Sequence, residues 1–151
     1  FDDSFIRLEK KSKINGFCSK LSAPLSREQT EEIIRGDLSW MGKNKNALIV
    51  EFYSKMRSQL LRPRTIVQYT REAYTYPAGN VRITLDSDIR TCIYATDLFN
   101  RDAPAVPAGG NAIILEVKYD RYIPDVISDI LQLKSRHYAA FSKYAACRIY
   151  G

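Results

Sequence analysis

The chain lacks any apolar run near the ~20 residues that span a bilayer, and its first residues, from Phe1 through Arg7 to Lys13, hold no apolar signal-peptide core. Both absences point to a soluble, cytoplasmic protein with no membrane segment in this chain, and leave a membrane partner open. Histidine is scarce, with His137 alone, and cysteine is sparse and odd in number: Cys18, Cys92 and Cys147, widely spaced. That set excludes a zinc site and reads as reduced thiols packed in a core. No G-x-x-x-x-G-K-[ST] phosphate loop, internal repeat or low-complexity tract is present.

Positive charge, by contrast, is plentiful. Lys and Arg number 23 against 17 for Asp and Glu, a formal +6, which favours an anionic partner: nucleic acid, a phosphate ligand or an anionic surface. With 151 residues, 45% of them hydrophobic and 26% charged, the chain fits one soluble domain. It opens at Phe1, without a methionine, and enters a strand-like run almost at once, as expected of a segment that starts inside its domain.

Residues 5 to 14, FIRLEKKSKI, alternate, with Ile6, Leu8 and Ile14 on one side and Arg7, Glu9, Lys11 and Lys13 on the other. Asn15-Gly16 marks a hairpin turn, and residues 17 to 22 return beside the first strand carrying Lys20. Ser26, followed by Glu28, Gln29 and Glu31, predicts a helix with a capping residue and an acidic first turn, running to Arg35 before Gly36. A second amphipathic helix over 47 to 61 sets Leu48, Phe52, Met56 and Leu60 near one face and stops at Arg62-Pro63. Strands follow over 64 to 76, 81 to 86 and 89 to 94, with a turn at 77 to 80. Residues 100 to 111 read as a loop, and 112 to 119 as a last strand. Pro124 suits the first turn of a helix to Leu133, and 138 to 149 reads as a helix whose length also permits a strand.

Three strands repeat one arrangement: Arg7, Glu9, Lys11 and Lys13; Arg82, Thr84 and Asp86; Glu116, Lys118 and Asp120. Each set shares a face. A solvated sheet face explains that pattern. The alternative is a sheet whose apolar face is covered by the amphipathic helices and whose charged face becomes a lumen once the sheet closes, at about eight strands. Some six strands are visible, so closure calls for strands beyond this chain. A lumen lined by Lys and Arg suits an extended phosphate chain. Glu9 or Glu116 could then hold a divalent cation bridging phosphate oxygens; the structural alternative is ion pairing, Glu9 with Lys11 and Glu116 with Lys118.

The ordered segments FIRLEKKSKING, LLRPRTIVQYTREAYTYP, NVRITLD, ILEVKYD and AAFSKYAACRIYG resemble the VTC (vacuolar transporter chaperone) domain of the triphosphate tunnel metalloenzyme superfamily, over nearly the whole chain. The resemblance implies an α+β fold, an antiparallel β-tunnel flanked by helices, of which residues 1–151 form the C-terminal portion. It implies a polyphosphate polymerase that moves the terminal phosphate of a nucleoside triphosphate onto a growing chain, with Mn²⁺ or Mg²⁺. Lys11 and Lys20 match the family's tunnel lysines, and Arg71 and Arg82 its phosphate-binding arginines. Glu116 matches the metal-associated glutamate, with Lys118 beside it and Glu9 as a second candidate. Ser142 and Lys143 match a C-terminal phosphate-contacting pair. Lys11, Arg71, Arg82 and Glu116 form the expected catalytic set. Two departures stand out: a basic residue found in some members falls at Ala140, and the family's N-terminal strands should precede Phe1, so this segment alone is expected to be inactive.

Two other outcomes share the tunnel: a module that senses polyphosphate without turning it over, and a triphosphatase. A nucleic-acid-binding domain is disfavoured because its basic residues should form an outward patch. His137 reads as a surface residue, Trp40 and the tyrosines as packing, and Lys43 and Lys45 as solvated loop charges.

Overall fold

The computed structural model describes residues 4–15, 17–93, 95–133, 137 and 140–149, without the side chains of residues 13, 14, 17 and 18. Gly16 of the expected turn, Tyr94, Lys134, Arg136 and Tyr138 lie outside the described residues, as do the side chains of Lys13 and Cys18. The chain divides into two compact units, one of residues 1–64 with 96–102 and one of residues 65–95 with 103–151.

In the first unit the alternating run becomes a hairpin. Strand β1 (Arg7–Ile14) pairs antiparallel with β2 (Phe17–Pro24), with Leu8 opposite Ala23 on the apolar side and Lys11 opposite Lys20 on the charged side. Asn15 takes the turn at φ 50, a left-handed conformation that asparagine tolerates. Helix α1 (Arg27–Arg35) starts in a capping box, in which the Ser26 hydroxyl accepts from the Gln29 N–H and the Gln29 side chain accepts from the Ser26 N–H. It ends on Gly36 at φ 87, where a side chain would be strained.

Helix α2 (Ala47–Ser58) is capped by Asn46 and stops short of the expected Leu61. Leu60 adopts φ 53, and Arg62 donates from Nη1 to the Met56 carbonyl at 3.2 Å, satisfying one of the carbonyls the helix end leaves bare. Leu60 therefore stands 69% exposed instead of extending the apolar stripe. The stripe itself holds: Leu48, Ile49 and Met56 are buried with Ala23, Ile33 and Met41, and Trp40, Phe52 and Tyr53 pack against them. Lys43 and Lys45 are exposed, as expected.

The second unit is a four-stranded antiparallel sheet centred on β4. Strand β3 (Ile66–Tyr76) runs along one edge of β4 (Val81–Cys92), while β5 (Ala105–Pro107) and β6 (Ile114–Lys118) share the other. β4 is continuous where two strands were expected. Between the pairs Thr70–Ser87 and Gln68–Arg90, β3 has one residue and β4 has two, with Asp88 at φ 47. This bulge shifts the alternation by one residue, so that Arg82, Thr84 and Asp86 give way on the same face to Ile89 and Thr91. The phase change makes one strand read as two in sequence. β5 lies inside the segment expected to be loop; only its backbone pairing with residues 90 to 92 identifies it.

Helix α3 (Asp125–Ile130) has Pro124 at its cap and ends before the expected Leu133, and α4 (Lys143–Arg148) is shorter than the expected helix, with Ser142 as its cap. Cys92 and Cys147 are buried, matching the core-thiol reading, and His137 is exposed. The fold is α+β with antiparallel sheets and four helices among the described residues, consistent with a tunnel-like β fold flanked by helices.

Candidate functional site

Cross-strand partners in an antiparallel sheet point to the same side, so the register of the second unit fixes which side chains meet. Arg71 lies opposite Asp86, Glu116 opposite Thr84, and Lys118 opposite Arg82. One face of β3, β4 and β6 thus carries Arg71, Arg82, Thr84, Asp86, Glu116 and Lys118. Ile83, Leu85, Leu115 and Val117 occupy the reverse side.

Past the bulge the same face turns apolar. Ile89 and Ala108 are buried with Cys147 of α4, and Val67 and Ile114 pack against them. The helix covers that end, and its first residue, Lys143, reaches the charged part: Nζ lies 2.6 Å from Asp86 Oδ2. Four cations, Arg71, Arg82, Lys118 and Lys143, therefore meet two carboxylates on one surface, brought there by three strands and a helix. Arg82 is exposed and has no ion-pair partner among the described residues. Lys118 pairs with Glu116 at 3.2 Å, the neighbour pairing anticipated for these two, and both remain largely solvated.

Asp86 is the buried centre of this face, its side chain 1% exposed. Arg71 donates from Nε to Oδ1 at 2.6 Å and from Nη2 to Oδ2 at 2.7 Å, a bidentate grip. Those bonds, with Lys143 adding to them, outweigh burial and hold the Asp86 carboxyl down to about 2; Asp86 in turn pushes the Arg71 guanidinium above its ordinary range. The ring of Tyr69 lies beside both cations, 5.3 Å from the Arg71 guanidinium carbon and 4.8 Å from Lys143 Nζ. The hydroxyl of Thr84, next to Asp86 on the face and 4% exposed, has no hydrogen-bond partner among the described residues. Buried polar atoms nearly always have a hydrogen-bond partner, so the Thr84 hydroxyl has the capacity for a water, an ion or a ligand.

The hairpin of the first unit carries the remaining expected residues. Glu9, Lys11 and Lys20 share a face, and Arg7 donates to Ser22 there at 3.3 Å. Glu9 pairs with Lys20 at 2.5 Å across the hairpin diagonal, not with Lys11 as expected. That bond, helped by Lys11 and Arg7, lowers the Glu9 pKa. Ser142 spends its hydroxyl oxygen accepting from the Ala145 N–H as the α4 cap.

A divalent ion would find no protein cage here: the described residues contain no group of three or more His, Cys, Asp and Glu side chains arranged to hold a metal. Both Asp86 oxygens are taken by cations, so the carboxylate of this face open to a metal is Glu116, which is half exposed beside Lys118 and lies opposite Thr84 in register. That donor set fits a hard ion bound mainly through a substrate's phosphate oxygens, as Mg²⁺ and Mn²⁺ commonly are.

Asp86 and Tyr69 were not singled out from sequence as site residues. The signal was there: Asp86 closes the Arg82-Thr84-Asp86 alternation, and Tyr69 is two residues before Arg71, on its side of the strand. No helix among the described residues is long and apolar enough to cross a membrane. Searches of curated proteins and of solved structures returned no match. A family model does match, that of the VTC domain, continuously over residues 1–149 and through both units, and the family is associated with polyphosphate metabolism. The chain, with its charged sheet face and near-complete match, belongs to the VTC domain family.

Proposed function

We propose that this chain is part of a cytoplasmic polyphosphate polymerase, which transfers the terminal phosphate of a nucleoside triphosphate to a growing polyphosphate chain. The observation that carries this reading is the meeting of Arg71, Arg82, Lys118 and Lys143 with Glu116 on one sheet face. Phosphoryl transfer asks a protein mainly to position the phosphates and to stabilise their charge, work suited to cations on rigid strands. Arg82, exposed and unpaired among the described residues, and Arg71, with guanidinium hydrogens to spare, bind phosphate oxygens; Lys118 and Lys143 add charge beside them. Lys11 and Lys20 on the hairpin of the first unit, and Ser142 in the second, are the further phosphate contacts that the family resemblance implies. Glu116 would hold Mn²⁺ or Mg²⁺ together with the substrate's phosphates, and Glu9, on the hairpin, is the candidate carboxylate of the first unit. When bound, the ion neutralises charge on those phosphates. No side chain need act as nucleophile, because the terminal phosphate oxygen of the chain can attack.

The test uses the full-length protein with ATP and Mn²⁺ and detects polymer on gels. Polymer that appears with the wild type and disappears in Arg82→Ala and Glu116→Ala supports the enzyme. Tight polyphosphate binding with no product reassigns the face to a sensing module, and release of inorganic phosphate without polymer reassigns it to a triphosphatase.

A further inference from the structure

The carboxylate of Asp86 is an odd component for an anion site. A buried negative charge on a phosphate-binding face repels the ligand, yet this one is the least exposed charged group there, gripped by two of the four cations. Its oxygens are not free for a metal: Oδ1 accepts from Arg71 Nε, while Oδ2 accepts from Arg71 Nη2 and faces Lys143 Nζ. What remains is its effect on its partners. The guanidinium is a rigid plane with five N–H groups. Asp86 takes the two on the Nε side, so three remain, two of them forming the end-on fork of Nη1 and Nη2. Lys143 likewise keeps two of its three N–H groups. Both are long side chains that, unrestrained, sample many rotamers and must be ordered when a ligand binds. Their second common neighbour, the Tyr69 ring, lies against both.

We infer that Asp86 is a positioning residue of the phosphate site, holding Arg71 of β3 and Lys143 of α4 in place before the anion arrives. This rests on the proposed phosphate-binding role of Arg71 and Lys143. Asp86 also ties the charged end of α4 to the sheet, as Cys147 ties the apolar end. Positioning and simple charge predict opposite effects of removing Asp86. Removing a negative group from an anion site should tighten anion binding; removing a positioning group should weaken it.

The experiment is titration calorimetry of inorganic tripolyphosphate into the full-length protein at fixed ionic strength, comparing wild type with Asp86→Asn, Arg71→Ala, Lys143→Ala and the Arg71→Ala/Lys143→Ala pair. Asp86→Asn is expected to weaken binding about tenfold despite the added positive charge, since the amide cannot accept from both cations and its NH₂ opposes one of them. Tighter or unchanged binding overturns the inference. In the background lacking both cations, Asp86→Asn should leave affinity unchanged or raise it, whereas general damage to the fold would lower it again and count against positioning. If Asp86→Asn does not fold, the two cations carry the test alone: sharing one anchor, they should lose together less than the product of their separate losses, and a clean product overturns the inference. Failure of the underlying reading looks different, because Arg71→Ala and Lys143→Ala would then leave tripolyphosphate binding untouched.

Discussion

Two stretches of this chain carry the same sequence pattern, apolar residues alternating with Arg, Lys and acids, and fold it to different ends. In the β1–β2 hairpin the ion pair of Glu9 and Lys20 stays half in water, its side chains 34% and 55% exposed. In the β3–β4–β6 sheet a helix closes over the apolar end of the face that carries the charges, and Asp86 is left 1% exposed between Arg71 and Lys143. Exposure decides what a pair is worth. A solvated pair gains little Coulomb energy over its hydration, while a buried carboxylate without its cations pays a heavy desolvation cost. The hairpin pair is open to water on both partners; the sheet has one buried anchor and leaves Arg82 exposed on the same face.

The largest expected difference between the regions is in activity. Arg82 has no protein partner to release among the described residues, so Arg82→Ala should lower the initial rate of polymer synthesis by about a hundredfold or more. Lys20→Ala, removing a cation already held by Glu9, should lower it by roughly tenfold. Equal losses would erase the distinction between a free and an engaged cation.

Stability should separate the regions next. Asp86→Asn is expected to cost about 2 kcal/mol, read from urea unfolding, because it unpairs two cations at a buried site. Glu9→Gln should cost less than about 0.5 kcal/mol. The same asymmetry has a pH signature. The Asp86 carboxyl is depressed from 3.8 to about 2 on folding, so its contribution is fully present above about pH 4 and is lost as pH falls toward 2, to the extent of about 2 kcal/mol. Urea unfolding between pH 2 and pH 6 should show that acid limb in the wild type and a shallower one in Asp86→Asn.

The smallest effect concerns Lys11 and Lys20, directly opposed across the hairpin. Like charges in that position destabilise a strand pair. Lys11→Thr should therefore raise stability by a few tenths of a kcal/mol, about the size of a cross-strand pair term, while weakening tripolyphosphate binding. A variant that loses both would mean that Lys11 supports the hairpin instead of straining it.

Local chemistry was legible wherever neighbours in sequence supply the partners. The Ser26–Gln29 capping box, the Gly36 stop and the β1–β2 hairpin follow from interactions spanning three to a few residues. Arg71, Arg82, Glu116, Lys118 and Lys143 were named from family resemblance and alternation. What hid was non-local or out of phase. The bulge at Asp88 disguised one strand as two, and the three-residue β5 was concealed in a loop-like composition.

By itself the sequence determined the strand faces, the helix caps and the excess of cations, because period and capping are properties of near neighbours along the chain. The role of Asp86 was decided only in three dimensions. Its partners are 15 residues before it and 57 after it, and no periodicity reaches that far. Sheet register brought Arg71 opposite it, the packing of Cys147 on Ile89 brought Lys143 down upon it, and the exclusion of water by that packing made the carboxylate an anchor instead of one more surface charge.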